Sequence, residues 1–246
     1  MQKLLSYVRR AADDYHMIAD GDCIAVGVSG GKDSLTLLLA LANLRRFYPN
    51  RFDLKAVTLD IGFPDMDFSP IARFCDQLDV EFVLEKTDIR EIVFDIRKEA
   101  NPCSLCANLR RGALHNAALA HGCRTVALGH HQDDVIETYM LSLLYEGRIN
   151  CFLPFTHLDR KDISVIRPLI YTPESYIRSI AKKVELPIVK STCPADGNSK
   201  RQEIKDLLWS IERENRGARQ RIFGAIQRYP LRGWERTPSA DSLPRP

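Results

Sequence analysis

No apolar run in this chain approaches the roughly 18 residues that a membrane span needs. The first residues turn charged before the apolar core of an export signal can form, so the expectation is a soluble, unexported, cytoplasmic protein with no membrane partner. No internal repeat or low-complexity tract is present, and a charge excess is also missing. The net charge of +3 over 246 residues is too small to argue for nucleic-acid binding by itself. Basic residues nevertheless crowd the last quarter: Lys200, Arg201, Lys205, Arg213, Arg216, Arg219, Arg221 and Arg228. An even cysteine count is lacking too. Seven cysteines in an unexported chain argue against a disulfide framework and leave buried thiols, metal ligands or redox chemistry.

With 45% hydrophobic and 27% charged residues, the composition is that of a globular domain with a real core. Runs rich in β-branched residues at 23–29, 54–60, 81–87 and 125–130 alternate with helix-period segments at 35–47, 71–78 and 105–121. Such alternation predicts an α/β fold, a doubly wound, mostly parallel sheet joined by helical crossovers. Ligands of these sheets bind beyond the carboxyl ends of the strands. After residue 145 the pattern predicts short strands at 163–168 and 187–190, a helix starting near Pro173, and basic helices from about 200 to 229. The expected division is a nucleotide-binding domain over 1–190, a helical segment over 191–235 and a disordered, proline-rich tail over 236–246.

Two motifs fall at strand ends. In the first, Ser29-Gly30-Gly31-Lys32-Asp33-Ser34, the Walker pattern fails because Val26 stands where its first glycine belongs and Asp33 where Ser or Thr should follow the lysine. What remains is a strand-to-helix turn whose glycines let backbone close on an anion at a helix N-terminus. Lys32 adds a cation, and Asp33 is suited to Mg²⁺ bridging phosphate oxygens. The second motif, Gly129 to Asp134, offers Asp133 and Asp134 either as ligands to Mg²⁺ or substrate, or as helix caps. His131 suits a phosphate or base contact, or a structural role.

Cys103 and Cys106 form a Cys-x-x-Cys pair ahead of a helix, and Cys193 follows much later. The residues leave several readings open: a zinc site, a redox dithiol, a 4Fe-4S cluster on three thiolates, or thiols without a ligand. Arg110 and Arg111, one turn past Cys106, fit either a negatively charged cluster or an RNA phosphate.

The first motif resembles the pyrophosphate (PP) loop of the N-type ATP pyrophosphatases, in which the β and γ phosphates are gripped while an acceptor attacks the α-phosphorus. Taken with residues 103–114 (CSLCANLRRGAL), 127–138 (ALGHHQDDVIET) and 192–204 (TCPADGNSKRQEI), the chain from about residue 2 to 215 resembles the tRNA 2-thiocytidine synthetases, the tRNA cytidine(32) 2-sulfurtransferases. That resemblance implies ATP, Mg²⁺ and a 4Fe-4S cluster on Cys103, Cys106 and Cys193 with one iron left open. It implies tRNA as substrate and a cysteine desulfurase as sulfur source; a homodimer is a separate expectation that the resemblance does not carry. By the same resemblance Lys32, Asp33 and Asp133 are catalytic, while Ser29, Gly30, Gly31, Lys32, Asp33, Ser34, Thr58 and Gly129 hold the nucleotide. The best-known members carry a second Cys-x-x-Cys; here Cys193 is followed by Pro194, Ala195 and Asp196. The rival enzyme reading is a lysidine-type synthetase, which shares the adenylation and uses an amine nucleophile. A non-catalytic, ATP-binding iron-sulfur sensor is the reading from another class.

Overall fold

The computed structural model describes residues 1–98, 102–189, 192–193 and 200–236. Six strands form one sheet: β1 (Asp22–Gly27), β2 (Phe52–Asp60), β3 (Glu81–Lys86), β4 (Thr125–Ala127), β5 (Phe155–Leu158) and β6 (Ile163–Ile166). Their order is β3-β2-β1-β4-β6-β5, and every pairing is parallel except β5 with β6. The chain winds outward from β1 to β3, then crosses back to lay β4 on the other side of β1. The switch point of the sheet therefore lies between β1 and β4, where such sheets open a crevice at their carboxyl edge.

Alternation along the strands divides the core. Ile24 and Val26 of β1 and Leu54 and Ala56 of β2 enter the larger cluster, while Ala25 and Val57 enter the smaller one on the opposite face. The smaller face is covered by α4 (Pro102–Ala120), through Leu114, Ala117 and Ala118. The larger face is covered by α1 (Gln2–Asp14), α2 (Lys32–Leu44) and α3 (Ser69–Gln77), with α5 (Gln132–Tyr145) and α6 (Glu174–Lys183). Helix α2 is apolar nearly all round, as a helix enclosed on every side must be, and ten of its side chains are buried. A π-helical turn, Glu91–Arg97, leads toward α4.

The two C-terminal helices, α7 (Lys200–Glu214) and α8 (Ala218–Arg228), do not stand apart. Ile204, Leu208, Phe223 and Ile226 join the larger core cluster. Trp234 follows them, 1% exposed, edge-on to Tyr15 and Phe223 with its indole N–H on the Phe152 carbonyl at 3.1 Å. Residues 200–235 thus share a core with the sheet and its helices, and of the expected segment and tail 191, 194–199 and 237–246 lie outside the described residues. Among 187–189 no strand forms; the Val189 N–H instead donates to the Gly30 carbonyl at 3.0 Å. No helix among the described residues is long and apolar enough to cross a membrane.

Replacing Trp234 by Ala should lower unfolding free energy by about 3–5 kcal/mol within a single urea transition. An early, separate transition, or unchanged stability, would contradict a shared core.

Candidate functional site

The first motif closes the turn between β1 and α2. Gly30 sits at φ +83°, and a Cβ there would meet the Val189 Cβ at 3.0 Å, so both backbone sign and space call for glycine. Ser29 and Ser34 staple the turn: the Ser29 N–H donates to Ser34 Oγ at 3.1 Å, and Ser34 Oγ donates to the Gly31 carbonyl at 3.0 Å. Gly31 is the N-cap of α2 and no side chain caps it. The first-turn N–H groups are thereby left to an anion, with the helix dipole behind them.

The second motif is pressed against the first. A Cβ on Gly129 would lie 3.0 Å from both the Asp33 carbonyl carbon and the Ser34 nitrogen. His131, 3% exposed, is the N-cap of α5, where it forms a capping box with Asp134. Because the Asp134 N–H donates to His131 Nδ1, the ring proton belongs on Nε2, which lies 3.7 Å from Asp33 Oδ1. That Asp33 oxygen is buried and has no hydrogen-bond partner among the described residues. Burial, aided by Arg167, pushes the neighbouring His130 down to about 4, so its ring is neutral at pH 7.

Asp133 has a different setting from the one expected of a catalytic acid. It accepts the N–H of Glu174, the first residue of α6, at 2.6 Å and pairs with Arg219 of α8 at 2.7 Å. It thus holds α6 in place, and α6 presents Glu174 to Lys32 at 3.0 Å. Lys32 also reaches Asp33 Oδ2 at 3.0 Å. Burial opposes both charges. The hydrogen bonds from Arg178 and Lys32 nevertheless hold the Glu174 carboxyl down at about 2, and Asp33 and Glu174 together keep Lys32 above its usual value. Thr58 is turned inward, its hydroxyl donating to the Val28 carbonyl at 2.8 Å, so its side chain is not offered to a ligand.

The seven cysteines separate into two sets. Cys75, Cys123 and Cys151 are buried, and the Cys23 sulfur touches that of Cys123 at 2.8 Å. Cys103 and Cys106 occupy the first turn of α4, and neither they nor Cys193 are buried. Partial burial raises the Cys106 thiol; the Arg110 guanidinium opposes this, and the charges of Cys193 and Cys103 add to it. Cys106 therefore feels the charge of both other sulfurs. Val189, bonded to the PP loop, is four residues from Cys193, at most about 14 Å of extended chain. Among the described residues no three His, Cys, Asp or Glu side chains close to the span of a single metal ion.

A family model described as a PP-loop domain matches residues 4–212. The tRNA-cytidine(32) 2-sulfurtransferase of Geobacter sulfurreducens is 39% identical over 228 residues, 92% of this chain and 89% of the relative. That of Pelobacter propionicus is 40% identical, over 92% and 85%. The chain belongs to the tRNA-cytidine(32) 2-sulfurtransferase family. Among solved structures, the U34-tRNA thiolase of Methanococcus maripaludis with its 4Fe-4S cluster is 25% identical with a TM-score of 0.76, covering 93% of this chain and 78% of that one. Membership makes this chain an enzyme of the sulfurtransferase class.

Within this family framework, Glu174, Arg178, Glu137 and Arg219 are the site residues that motif reading passes over. Pro173 followed by Glu174 does mark a helix start in the sequence; nothing local says that the acid meets Lys32, some 140 residues earlier in the chain.

A carboxyl held below its ordinary value stabilises the fold above about pH 4.5, and that contribution fades as pH falls toward 2. Glu174→Gln should therefore cost about 2–3 kcal/mol at pH 7 and much less at pH 3, by urea denaturation. An equal cost at both pH values would contradict the ion pair.

Proposed function

We propose that this chain replaces the C2 oxygen of cytidine 32 in tRNA with sulfur, after activating that oxygen with ATP. The observation that carries the reading is the match to the tRNA-cytidine(32) 2-sulfurtransferases over 92% of the chain, with Val189, four residues before Cys193, bonded to Gly30 of the PP loop. On this reading ATP cleavage and sulfur transfer share one edge of the sheet.

The C2 oxygen of cytosine is a poor leaving group, so exchange for sulfur needs a better one. Attack of that oxygen on the α-phosphorus breaks the α–β bond and releases pyrophosphate. Lys32, kept cationic by its two acids, and the open N–H groups of α2 take up the charge that develops on the departing diphosphate. Asp33 Oδ1, buried and unpartnered, suits a divalent cation; magnesium there would supply further positive charge to the phosphate oxygens. Sulfide then attacks C2, the C–O bond breaks, and AMP departs with the oxygen. Cys103, Cys106 and Cys193 fit a 4Fe-4S cluster, since cysteine sulfurs are the ligands it needs and none of the three is buried. When bound, the cluster supplies an iron position at which sulfide is held. Asp133 serves as a positioning residue, holding Glu174 against Lys32 through α6. A cysteine desulfurase together with a thiol reductant is the sulfur source that fits this scheme: the desulfurase's persulfide sulfur is released as sulfide while two thiols are oxidised to a disulfide.

Reconstituted under anaerobic conditions with ATP, a desulfurase, cysteine, a thiol reductant and tRNA, the protein should yield 2-thiocytidine, AMP and pyrophosphate. Cys193→Ser should lower the thiolated nucleoside at least 100-fold while ATP binding persists. Full thiolation by that variant, or a lysine-bearing nucleoside from the wild type, would overturn the proposal.

A further inference from the structure

Beside Lys32 lies a cavity of about 430 Å³ walled by α5, α6, α7 and α8. Its lining includes Glu137, Arg178, Lys205, Trp209 and Arg219. Glu137 is fully buried, and neither carboxylate oxygen has a hydrogen-bond partner among the described residues. Arg219, Lys205 and Arg201 approach it at 3.8, 3.9 and 4.0 Å, near enough to balance its charge and too far to donate a hydrogen bond. A buried acceptor left in this state calls for a donor from outside the protein. Burial pushes the Glu137 carboxyl up to about 7, against the pull of those cations.

The opposite character belongs to Trp209. It is 57% exposed, while Trp234 is 1% exposed. Trp209 also borders a second hollow of about 730 Å³, where the exposed Arg213 and Arg216 stand beside Asp206 and Glu212, the latter accepting the N–H groups of Gly217 and Arg219. A half-exposed indole with Arg219 over its ring and Arg213 and Arg216 on the same surface matches single-stranded nucleic acid, whose bases stack on aromatic faces while its phosphates meet Lys and Arg.

We propose that this cavity receives an unpaired nucleobase of the RNA substrate, stacked on Trp209 with its amine edge donating to Glu137. The carboxylate favours cytosine, whose exocyclic N4 is a donor, over uracil, which places an oxygen there. Arg213 and Arg216 meet the flanking phosphates. The inference rests on the RNA-substrate reading above and adds the place and chemistry of recognition.

The test uses the full-length chain and fluorescently labelled anticodon stem-loops carrying cytidine or uridine at position 32. Unlabelled stem-loop should quench tryptophan emission in the wild type and leave Trp209→Phe, which retains only Trp234, nearly unquenched. Trp209→Ala should weaken stem-loop binding about tenfold or more, with Trp209→Phe close to wild type and ATP affinity unchanged in both. Glu137→Gln should narrow the preference for cytidine over uridine. If the wild type binds no stem-loop, both this inference and the RNA-substrate reading are overturned. If it binds while Trp209→Ala binds equally well, or the quench persists in Trp209→Phe, the cavity alone is refuted. A Glu137→Gln protein that melts lower yet discriminates as before assigns Glu137 to stability and refutes its part in recognition.

Discussion

The site is built on one close approach, the backbone of Gly129 against the backbone of Asp33 and Ser34. Strands β1 and β4 are neighbours whose connections leave in opposite directions, so their carboxyl ends open a crevice. Only a residue without a side chain lets the two loops meet across it. That contact sets His131 opposite Asp33 and starts α5 at a fixed place. Asp133 of α5 then receives the first N–H of α6, and α6 delivers Glu174 to Lys32. A shift at Gly129 is therefore passed to the lysine along a path of hydrogen bonds and ion pairs.

The charges of this path are held in partial burial, where each unpaired ion would be costly. Lys32 lies between two carboxylates, so an arriving polyphosphate meets a lysine whose position is already set. The acids of α5 are matched by basic residues of α7 and α8: Arg201 with Asp134, Arg219 with Asp133, Lys205 near Glu137. Part of the basic C-terminal quarter thus joins helices to the catalytic edge. Arg213 and Arg216 stay exposed on the surface around Trp209.

The parallel sheet was legible because its strands are buried, β-branched and separated by clear helical periods. The PP loop was legible because glycines, a lysine and serines at fixed spacing have few other uses at a strand end. β5 was not foreseen: four half-exposed residues on an edge, Phe155–Leu158, carry too little pattern. A strand was expected at 187–190, since Val and Ile there suit one, yet Val189 gives its N–H to Gly30 instead. Asp133 reads as a catalytic acid from its motif, and only the fold reveals Glu174 and Arg219 as its partners. Glu137 looks like an ordinary helix acid in sequence; its burial depends on α7 and α8, far along the chain.

Equilibrium binding of ATP to Gly129→Ala, with circular dichroism to verify the fold, tests the central constraint most directly. The added methyl should push the two loops apart and weaken ATP binding at least tenfold while the helices and sheet persist. A folded variant that binds ATP as tightly as the wild type would contradict the account.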